Sequence, residues 1–174
     1  VTLAYYPDSR QERLLKAQKL DEGADLLHMM SYDQSGGHHS TTEFGIKTAD
    51  QGAAVLRPER LTLGLPFYGR RSRDGDWITY EDLVQKHDPL LADADFVSDG
   101  AGGTVGFNGV KTIGEKTKYA LKKGLAGVMI WEVGQDCRLV PVTHGEDTHV
   151  RTCPSDDSSL LRAISGAVAA AGRS

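Results

Sequence analysis

The sequence predicts an α/β protein whose strands run parallel, and three observations support this fold class. Apolar segments of strand length alternate with helical segments along most of the chain. The strand segments are almost continuously apolar, which is typical of strands buried on both faces of a sheet. A helix separates most successive strands, as in the right-handed crossovers that join parallel strands. Two architectures fit this order: a doubly wound open sheet and part of an eight-stranded barrel.

The composition indicates one globular domain and excludes some classes of partner. The chain has 174 residues, of which 39% are hydrophobic and 25% are charged, as in an ordinary folded domain. Its formal net charge is −4 and its basic residues are scattered, so we predict no binding to nucleic acid and none to a membrane surface. No apolar run reaches the length of about 18 residues that a membrane-spanning helix needs, so we predict no span.

The first part of the chain contains three predicted strands and two helices. The first strand begins at the first residue and no initiating Met precedes it, so we expect the natural N terminus to lie upstream. Asp8 or Ser9 caps the first helix, and Leu14, Leu15 and Leu20 form its apolar face. The predicted segments are strand 1–6, helix 9–20, strand 25–32, helix 43–56 and strand 61–67.

The second part begins with a segment that breaks this alternation. Residues 71–109 are rich in Asp and Gly and contain a short helical pattern at 80–86, so we interpret them as a small insertion. Thr112 and Glu115 have the spacing of a capping box, and Gly124 ends the same helix. The predicted segments that follow are helix 112–123, strand 126–132 and helix 158–171. The predicted units are therefore residues 1–70, the insertion 71–109 and residues 110–174.

Residues suited to sugar binding lie at the ends of the predicted strands. In both candidate architectures, ligands bind at the carboxyl ends of the strands. Sugars present apolar C–H faces and hydroxyl rims, which aromatic rings and polar side chains complement. No Gly-x-Gly-x-x-Gly follows the first strand, so we predict no dinucleotide site and no other cofactor. The residues at the strand ends are Tyr5, Tyr6, Met30, Tyr32, Asp33, Tyr68, Arg70, Trp131 and Glu132.

Three of these strand ends resemble the last strands of glycoside hydrolase family 18, which contains chitinases and chitinase-like lectins. The resembling segments are 30–33, 63–70 and 124–132, and they occur in the order of the family. The resemblance implies the C-terminal half of a TIM (β/α)₈ barrel, from the fifth strand to the eighth. It also implies a short insertion after the seventh strand.

The resemblance further implies a reaction and a role for each site residue. The reaction is substrate-assisted retaining hydrolysis of β-1,4-linked N-acetylglucosamine polymers such as chitin. Tyr32 would hydrogen-bond the attacking N-acetyl oxygen, and Asp33 would bind sugar hydroxyls beside it. The implied substrate-binding residues are Met30 in the pocket wall, Tyr68 and Arg70 along the cleft, and Trp131 beneath the reacting sugar.

The chain departs from the family pattern at one point. The family motif Asp-x-x-Asp-x-Asp-x-Glu, which supplies the acid Glu, has no match in this sequence and is expected just upstream of Val1. We therefore expect hydrolysis only when an N-terminal half-barrel carrying that Glu completes the site. The partner half would be a separate chain, a second copy or residues missing from the sequence. The alternative function is that of a chitinase-like lectin without hydrolytic activity.

The two cysteines are interpreted as a disulfide. Cys137 and Cys153 lie in a segment that has the composition of a loop, and a bridge between them would favour a secreted or extracellular protein. Two unrelated buried thiols are the alternative. His144 and His149 lie near them, but the spacing does not match a zinc finger, so we predict no metal site.

Some further residues have a structural and a functional interpretation. Trp77 is interpreted as part of the small core of the insertion rather than as a second sugar platform. Glu132 is interpreted as a structural partner of Arg70 or of a backbone amide. His38 and His39 are adjacent in a loop, where we expect their side chains to diverge and to share no metal.

Overall fold

A computed structural model describes residues 1–87, 93–142, 148–152 and 157–172. In chain order, its elements are β1 (Thr2–Tyr5), α1 (Arg10–Ala17), α2 (Leu20–Gly23), β2 (Leu26–Met29), α3 (Thr42–Val55), β3 (Leu61–Pro66), β4 (Tyr68–Arg71), β5 (Trp77–Thr79), α4 (Tyr80–Lys86), β6 (Phe96–Ser98), β7 (Thr104–Gly106), α5 (Val110–Lys122), β8 (Gly127–Trp131), β9 (Arg138–Pro141), β10 (His149–Thr152) and α6 (Leu160–Ala171). Short 3₁₀ segments occupy Pro58–Arg60 and Val133–Asp136.

A parallel sheet of four strands forms the centre of the fold. Its strand order is β1, β2, β3, β8, and every adjacent pair is parallel. These are the four long apolar strands that the sequence predicts, and α1, α3 and α5 connect them. The predicted α/β class with a parallel sheet is therefore confirmed.

One face of this sheet packs against the helices. Burying a large aliphatic side chain contributes about 1.5–3 kcal/mol to stability, so the buried residues between the sheet and α3 stabilise the packing of the two. Alternate residues of a strand point to the opposite face, where His28 Nδ1 lies 2.7 Å from Thr62 Oγ1. The buried cluster on the helical side includes Tyr5, Leu27, Met29, Ala49, Leu56, Leu61 and Leu63.

The first helix is shorter and less buried than predicted. Leu15 is buried, but Leu14 and Leu20 are exposed. The helix ends at Ala17, and Leu20 begins the separate short helix α2, so the three leucines do not share one face. The buried contact of α1 with α3 is polar: the Gln51 amide donates to both carboxylate oxygens of Glu12, at 3.1 and 3.0 Å.

The start of α5 also differs from the prediction. The helix begins at Val110, two residues before Thr112, so the predicted capping box of Thr112 and Glu115 is wrong. The Thr112 hydroxyl instead donates to Asp95 Oδ2 at 2.6 Å. Gly124 has the left-handed φ of 75° expected of a glycine that follows a helix.

An antiparallel sheet follows β3, in the strand order β5, β4, β7, β6. Pro66 ends β3 as predicted, and β4 starts after the single buried residue Phe67. The second sheet thus begins at Tyr68, three residues before the predicted start of the insertion at 71. Tyr68 and Arg70 consequently belong to an antiparallel ladder, in which Arg70 lies opposite Trp77.

A hairpin of two strands follows β8, in a segment that the sequence analysis interpreted as a loop. Strands β9 and β10 pair in antiparallel fashion. Cys137, which precedes β9, is disulfide-bonded. Its predicted partner Cys153 lies outside the described residues, and so does His144.

The last helix, α6, packs against α5 and is capped from a distant segment. The backbone N–H groups of Leu160 and Leu161 donate to the Asp136 carboxylate at 2.9 and 3.0 Å. Asp136, which lies 24 residues before Leu160, therefore supplies the carboxylate at the start of α6. None of the described helices has the length and apolar character needed to cross a bilayer.

Candidate functional site

The loop between β2 and α3 holds the first group of predicted site residues in a defined conformation. The buried Ser31 accepts two hydrogen bonds: its carbonyl from the Ser40 hydroxyl and its hydroxyl from Thr48 of α3, both at 2.9 Å. Asp33 adopts a φ of 61°, in the left-handed region that Asp tolerates better than most residues. Hydrogen bonds of Ser31 therefore hold the start of the loop to its end and to α3, and Asp33 faces β4.

Asp33 is the centre of a hydrogen-bond network. Its Oδ1 accepts from Arg70 Nε at 2.7 Å and from the Tyr68 hydroxyl at 2.8 Å, and lies 3.3 Å from His39 Nδ1. Partial burial alone would raise the pKa of Asp33, but the hydrogen bonds from His39, Arg70 and Tyr68 lower the pKa well below its ordinary value. The group is thus a fixed, ionised acceptor for hydroxyl or amide donors.

Two tyrosines pack beside this carboxylate. The rings of Tyr32 and Tyr68 meet edge to face, with 6.0 Å between their centroids. Burial, and secondarily the charge of Asp33, raises the pKa of Tyr32 to about 12. Burial also raises the pKa of Tyr68, and its hydrogen bond to Asp33 raises it further. Both phenols therefore remain protonated at neutral pH and act as donors.

Gly64 permits the position of the Tyr32 ring. A Cβ atom at Gly64 would lie 2.3 Å from the Met29 carbonyl oxygen and 2.9 Å from a carbon of the Tyr32 ring. Real Cβ atoms do not approach backbone so closely. The close approach of β2 and β3 at this point therefore requires glycine.

The end of β8 presents a large exposed aromatic ring. Trp131 is 56% exposed, and the Trp131–Glu132 peptide bond is cis. Arg70 pairs with Asp33 and not with Glu132, which instead accepts a long contact of 3.5 Å from the Gln135 amide. The interpretation of Glu132 as a partner of Arg70 is therefore wrong.

An open cavity of about 320 Å³ gathers most of the predicted site residues. Four of the six, Asp33, Tyr68, Arg70 and Trp131, line it. Tyr32 lies just behind, against the Tyr68 ring. Met30 is half-buried, and its backbone N–H donates to the Tyr5 carbonyl at 2.9 Å. The cavity lining also includes Trp77, Glu132 and Gln135.

The histidine pair of the loop has a geometry that the sequence analysis missed. The rings of His38 and His39 stack, with an interplanar angle of 15°, so the expected divergence is wrong. His39 Nε2 lies 3.1 Å from the Tyr68 carbonyl oxygen and Nδ1 faces Asp33. The Asp33 carboxylate and the Tyr68 carbonyl oxygen are both hydrogen-bond acceptors. The imidazole between them therefore positions the carboxylate. Among the described residues, no three His, Cys, Asp or Glu side chains form a metal site.

A buried lysine of α5 also holds the loop between β2 and α3 in place. Lys116 Nζ donates to the carbonyl and hydroxyl oxygens of Ser40, both at 2.8 Å, and to Asn108 Oδ1 at 2.7 Å. Burial lowers the pKa of Lys116 to about 7, while three acceptors match the three donors of an ammonium group. This contact joins the loop, the end of the antiparallel sheet and α5.

The site residues missed from the sequence are His39, Trp77 and Gln135. His39 lies in the same loop as Asp33, and Gln135 lies shortly after Trp131, but no local pattern marks either of them as a site residue. The one available signal was the aromatic character of Trp77, which the sequence analysis interpreted as core; in the structure its side chain is 59% exposed.

Comparison with known proteins agrees with this arrangement. The profile of Glycosyl hydrolases family 18 matches residues 1–136. The curated protein Probable chitinase 2 of Drosophila melanogaster is 25% identical, and the match covers 82% of this chain and 42% of that protein. The chain thus spans less than half the length of this relative.

Several solved structures share the fold. A chitinase from Bacteroides thetaiotaomicron is 22% identical with a TM-score of 0.74, over 99% of this chain and 53% of that chain. A family 18 chitinase from Cycas revoluta in complex with (GlcNAc)3 is 20% identical with a TM-score of 0.63, over 78% and 51%. A chitinase-like agglutinin from Robinia pseudoacacia is 18% identical with a TM-score of 0.64, over 95% and 54%.

These likenesses show an α/β fold that matches the barrels of family 18 chitinases. The family profile covers more than half of the chain, including the parallel sheet and the cavity. The chain therefore belongs to Glycosyl hydrolases family 18.

Proposed function

We propose that this chain is the C-terminal half of a chitinase-type hydrolase, and that its cavity binds β-1,4-linked N-acetylglucosamine polymers. One observation carries the proposal. The ionised Asp33 is held by Arg70 and Tyr68 beside the exposed ring of Trp131 in one open cavity. An exposed ring next to fixed polar groups matches the apolar faces and hydroxyl rims of a sugar.

The proposed reaction uses the substrate's own N-acetyl group as nucleophile. The protonated Tyr32 hydroxyl donates to the N-acetyl oxygen as it attacks the anomeric carbon, and Asp33 accepts from the N–H or a hydroxyl of the same sugar. An acid Glu protonates the departing glycosidic oxygen, and water then opens the oxazolinium intermediate. That Glu is proposed to reside on an N-terminal half, and Met30 to line the pocket wall.

The half-barrel assignment has two sources of support. The chain spans about half the length of the solved chitinases with a similar fold. Its parallel sheet has β1 and β8 as its two outer strands, and unpaired strand edges invite pairing with further strands. We therefore propose that the remaining strands come from upstream residues, from a separate chain or from a second copy.

A chitinase-like lectin is the second candidate function. The similar fold of the Robinia pseudoacacia agglutinin favours it, because that protein has a chitinase-like fold and is described as an agglutinin. Both functions use the sugar-binding cavity, but only the hydrolase needs the acid Glu. Hydrolysis of a chito-oligosaccharide by the protein that contains this chain supports the enzyme; binding without hydrolysis supports the lectin.

We also propose that the protein is secreted or extracellular. The disulfide at Cys137 supports this, because structural disulfides form and persist mainly in oxidising compartments. Fractionation of the source cells would test it, and retention in the cytosol would contradict it.

The replacement Trp131→Ala tests the sugar-binding function. Loss of a stacking ring is expected to weaken binding of a chito-oligosaccharide by about 1–3 kcal/mol, by analogy with the range measured for nucleic-acid bases that stack on aromatic side chains. Calorimetry measures the affinity. The control is Leu14→Ala, which removes an equally exposed apolar side chain from α1. Equal affinities of Trp131→Ala and the control would contradict the proposal.

A further inference from the structure

A second cavity adjoins the first. It encloses about 290 Å³ between α4, β5, the 3₁₀ segment at Val133–Asp136 and the hairpin strands β9 and β10. Trp77, Glu132 and Gln135 line both cavities. A linear ligand that lies on Trp131 therefore has a continuous path past Trp77 into the second cavity.

Trp77 stands on the boundary between the two cavities in a fixed position. Its backbone pairs with Arg70 in the antiparallel ladder. Strand β5, which carries Trp77, is therefore anchored to β4, whose side chains donate hydrogen bonds to Asp33. The side chain is nevertheless 59% exposed. Exposed large aromatic side chains on a rigid strand are costly in water and are typical of binding surfaces.

The far wall of the second cavity comes from the hairpin. Arg151 Nη1 donates to Glu81 Oε2 at 2.6 Å, and this pair connects β10 to α4. Leu139 of β9 is 45% exposed and lines the same cavity. Trp77 and Leu139 thus supply apolar surface on two sides of the cavity.

Polar groups surround this apolar surface. Asp82, Gln85 and Glu132 line the cavity, and neither of the two carboxylates forms a salt bridge among the residues that the structure describes. Glu132 accepts only a long contact from Gln135, so both carboxylates can accept from hydroxyl and amide groups, and the Gln85 amide can accept and donate. The second cavity thus combines apolar surface with polar groups, as the first cavity does.

We propose that Trp77 and this second cavity bind an additional sugar unit of the polysaccharide whose other units occupy the first cavity. The inference rests on the proposed function, since it assigns the same polymer to both cavities. The hairpin makes this site a determinant of substrate length: ligands long enough to reach past Trp77 gain contacts that short ligands lack.

The test compares a trimer and a hexamer of β-1,4-linked N-acetylglucosamine by calorimetry on the purified protein that contains this chain. Leu139→Asp alters a residue of the second cavity alone and is expected to weaken the hexamer about tenfold while leaving the trimer unchanged. Trp77→Ala is expected to weaken the hexamer by a larger factor than the trimer. Leu14→Ala serves as the control for folding.

The outcomes separate the inference from the proposed function. If both variants leave the ratio of hexamer to trimer affinity unchanged while Trp131→Ala weakens both oligomers, the second cavity is not a sugar site and the first cavity remains one. If the unsubstituted protein binds neither oligomer, the proposed function is wrong and the inference falls with it. A change in that ratio in both variants supports the inference.

Discussion

At the scale of single residues, the site depends on one carboxylate and the groups that hold it. Arg70, Tyr68 and His39 all contact the same carboxylate oxygen of Asp33, Oδ1. In the described part of the chain no hydrogen bond reaches its second oxygen, whose lone pairs can therefore accept from a ligand. The family motif predicts the presence of Asp33; of the partners that orient it, Tyr68 and Arg70 come from β4, and His39 comes from the same loop.

His39 is expected to orient Asp33, and His39→Phe tests this role. Phenylalanine keeps a flat ring beside His38 but loses the hydrogen bonds to Asp33 and to the Tyr68 carbonyl. Because Asp33 is partly exposed, we expect a loss of only about 1 kcal/mol in oligosaccharide affinity. Calorimetry with a chito-oligosaccharide measures this affinity.

The exposed His149 of β10 supplies the matched control for this change. His149→Phe is expected to leave the affinity unaltered. Equal affinities of His39→Phe, His149→Phe and the unsubstituted protein would show that His39 does not position the carboxylate.

Gly64→Ala tests the close approach of β2 and β3. The added methyl would overlap the Met29 carbonyl and the Tyr32 ring, and overpacking of this kind costs about 1–3 kcal/mol. We expect a lower free energy of unfolding in urea together with weaker sugar binding, because Tyr32 must move.

Gly114→Ala is the comparison for this substitution. Gly114 lies inside α5 with nothing within 4 Å of an added Cβ, so alanine should raise the stability by about 0.5–1 kcal/mol. Equal stability of the two variants would show that the space beside Gly64 is not restricted.

At the scale of elements, the loop between β2 and α3 joins the two sheets. His38 accepts from the Ser40 backbone N–H through Nδ1, at 3.0 Å, and donates through Nε2 to the Phe107 carbonyl at 2.7 Å. Only a neutral imidazole combines these two roles. Burial lowers the pKa of His38 below its ordinary value, in agreement with the neutral form.

This arrangement predicts a loss of stability on acidification. The unfolded chain binds the proton more readily than the folded one, so the contribution of His38 is complete above the unfolded pKa of about 6.5 and decreases as the pH falls below it. Urea unfolding between about pH 5 and 7 measures this slope. In His38→Gln the slope should be smaller, with a remainder from His28, whose pKa burial also lowers.

The control for the pH slope is Leu14→Ala on the exposed surface of α1, which changes no titratable group and should keep the slope of the unsubstituted protein. A slope in His38→Gln equal to that of the control would show that His38 binds protons equally in the folded and unfolded states, and this assignment would then be wrong.

At the scale of the whole molecule, the parallel sheet has two outer strands, β1 and β8. We expect this chain, produced alone, to associate with itself or to aggregate, and to become a defined species when the proposed N-terminal half is added. Size-exclusion chromatography with mass measurement tests this expectation. A stable monomer of this chain alone would contradict it.

The molecule also shows which parts of a site a sequence can predict. Tyr32, Asp33, Tyr68, Arg70 and Trp131 stand in contiguous motifs at strand ends, and the structure gathers them around one cavity. His39 and Trp77 could not be assigned in this way. The role of His39 follows from its contacts with Asp33 and the Tyr68 carbonyl oxygen, and that of Trp77 from its ladder position opposite Arg70. Neither leaves a local pattern in the sequence.

The sequence by itself determined the order of the four parallel strands, the helices that connect them and the family, because periodicity and contiguous motifs are local properties of the chain. Tertiary structure alone decided that Trp77 meets the cavity of Trp131, that His39 supports Asp33, and that Asp136 caps α6. Trp77 and Asp136 meet partners that are remote in the chain, and His39 meets Asp33 because of the fold of the loop that they share. The geometry of all three contacts is decided by how the sheets and loops pack.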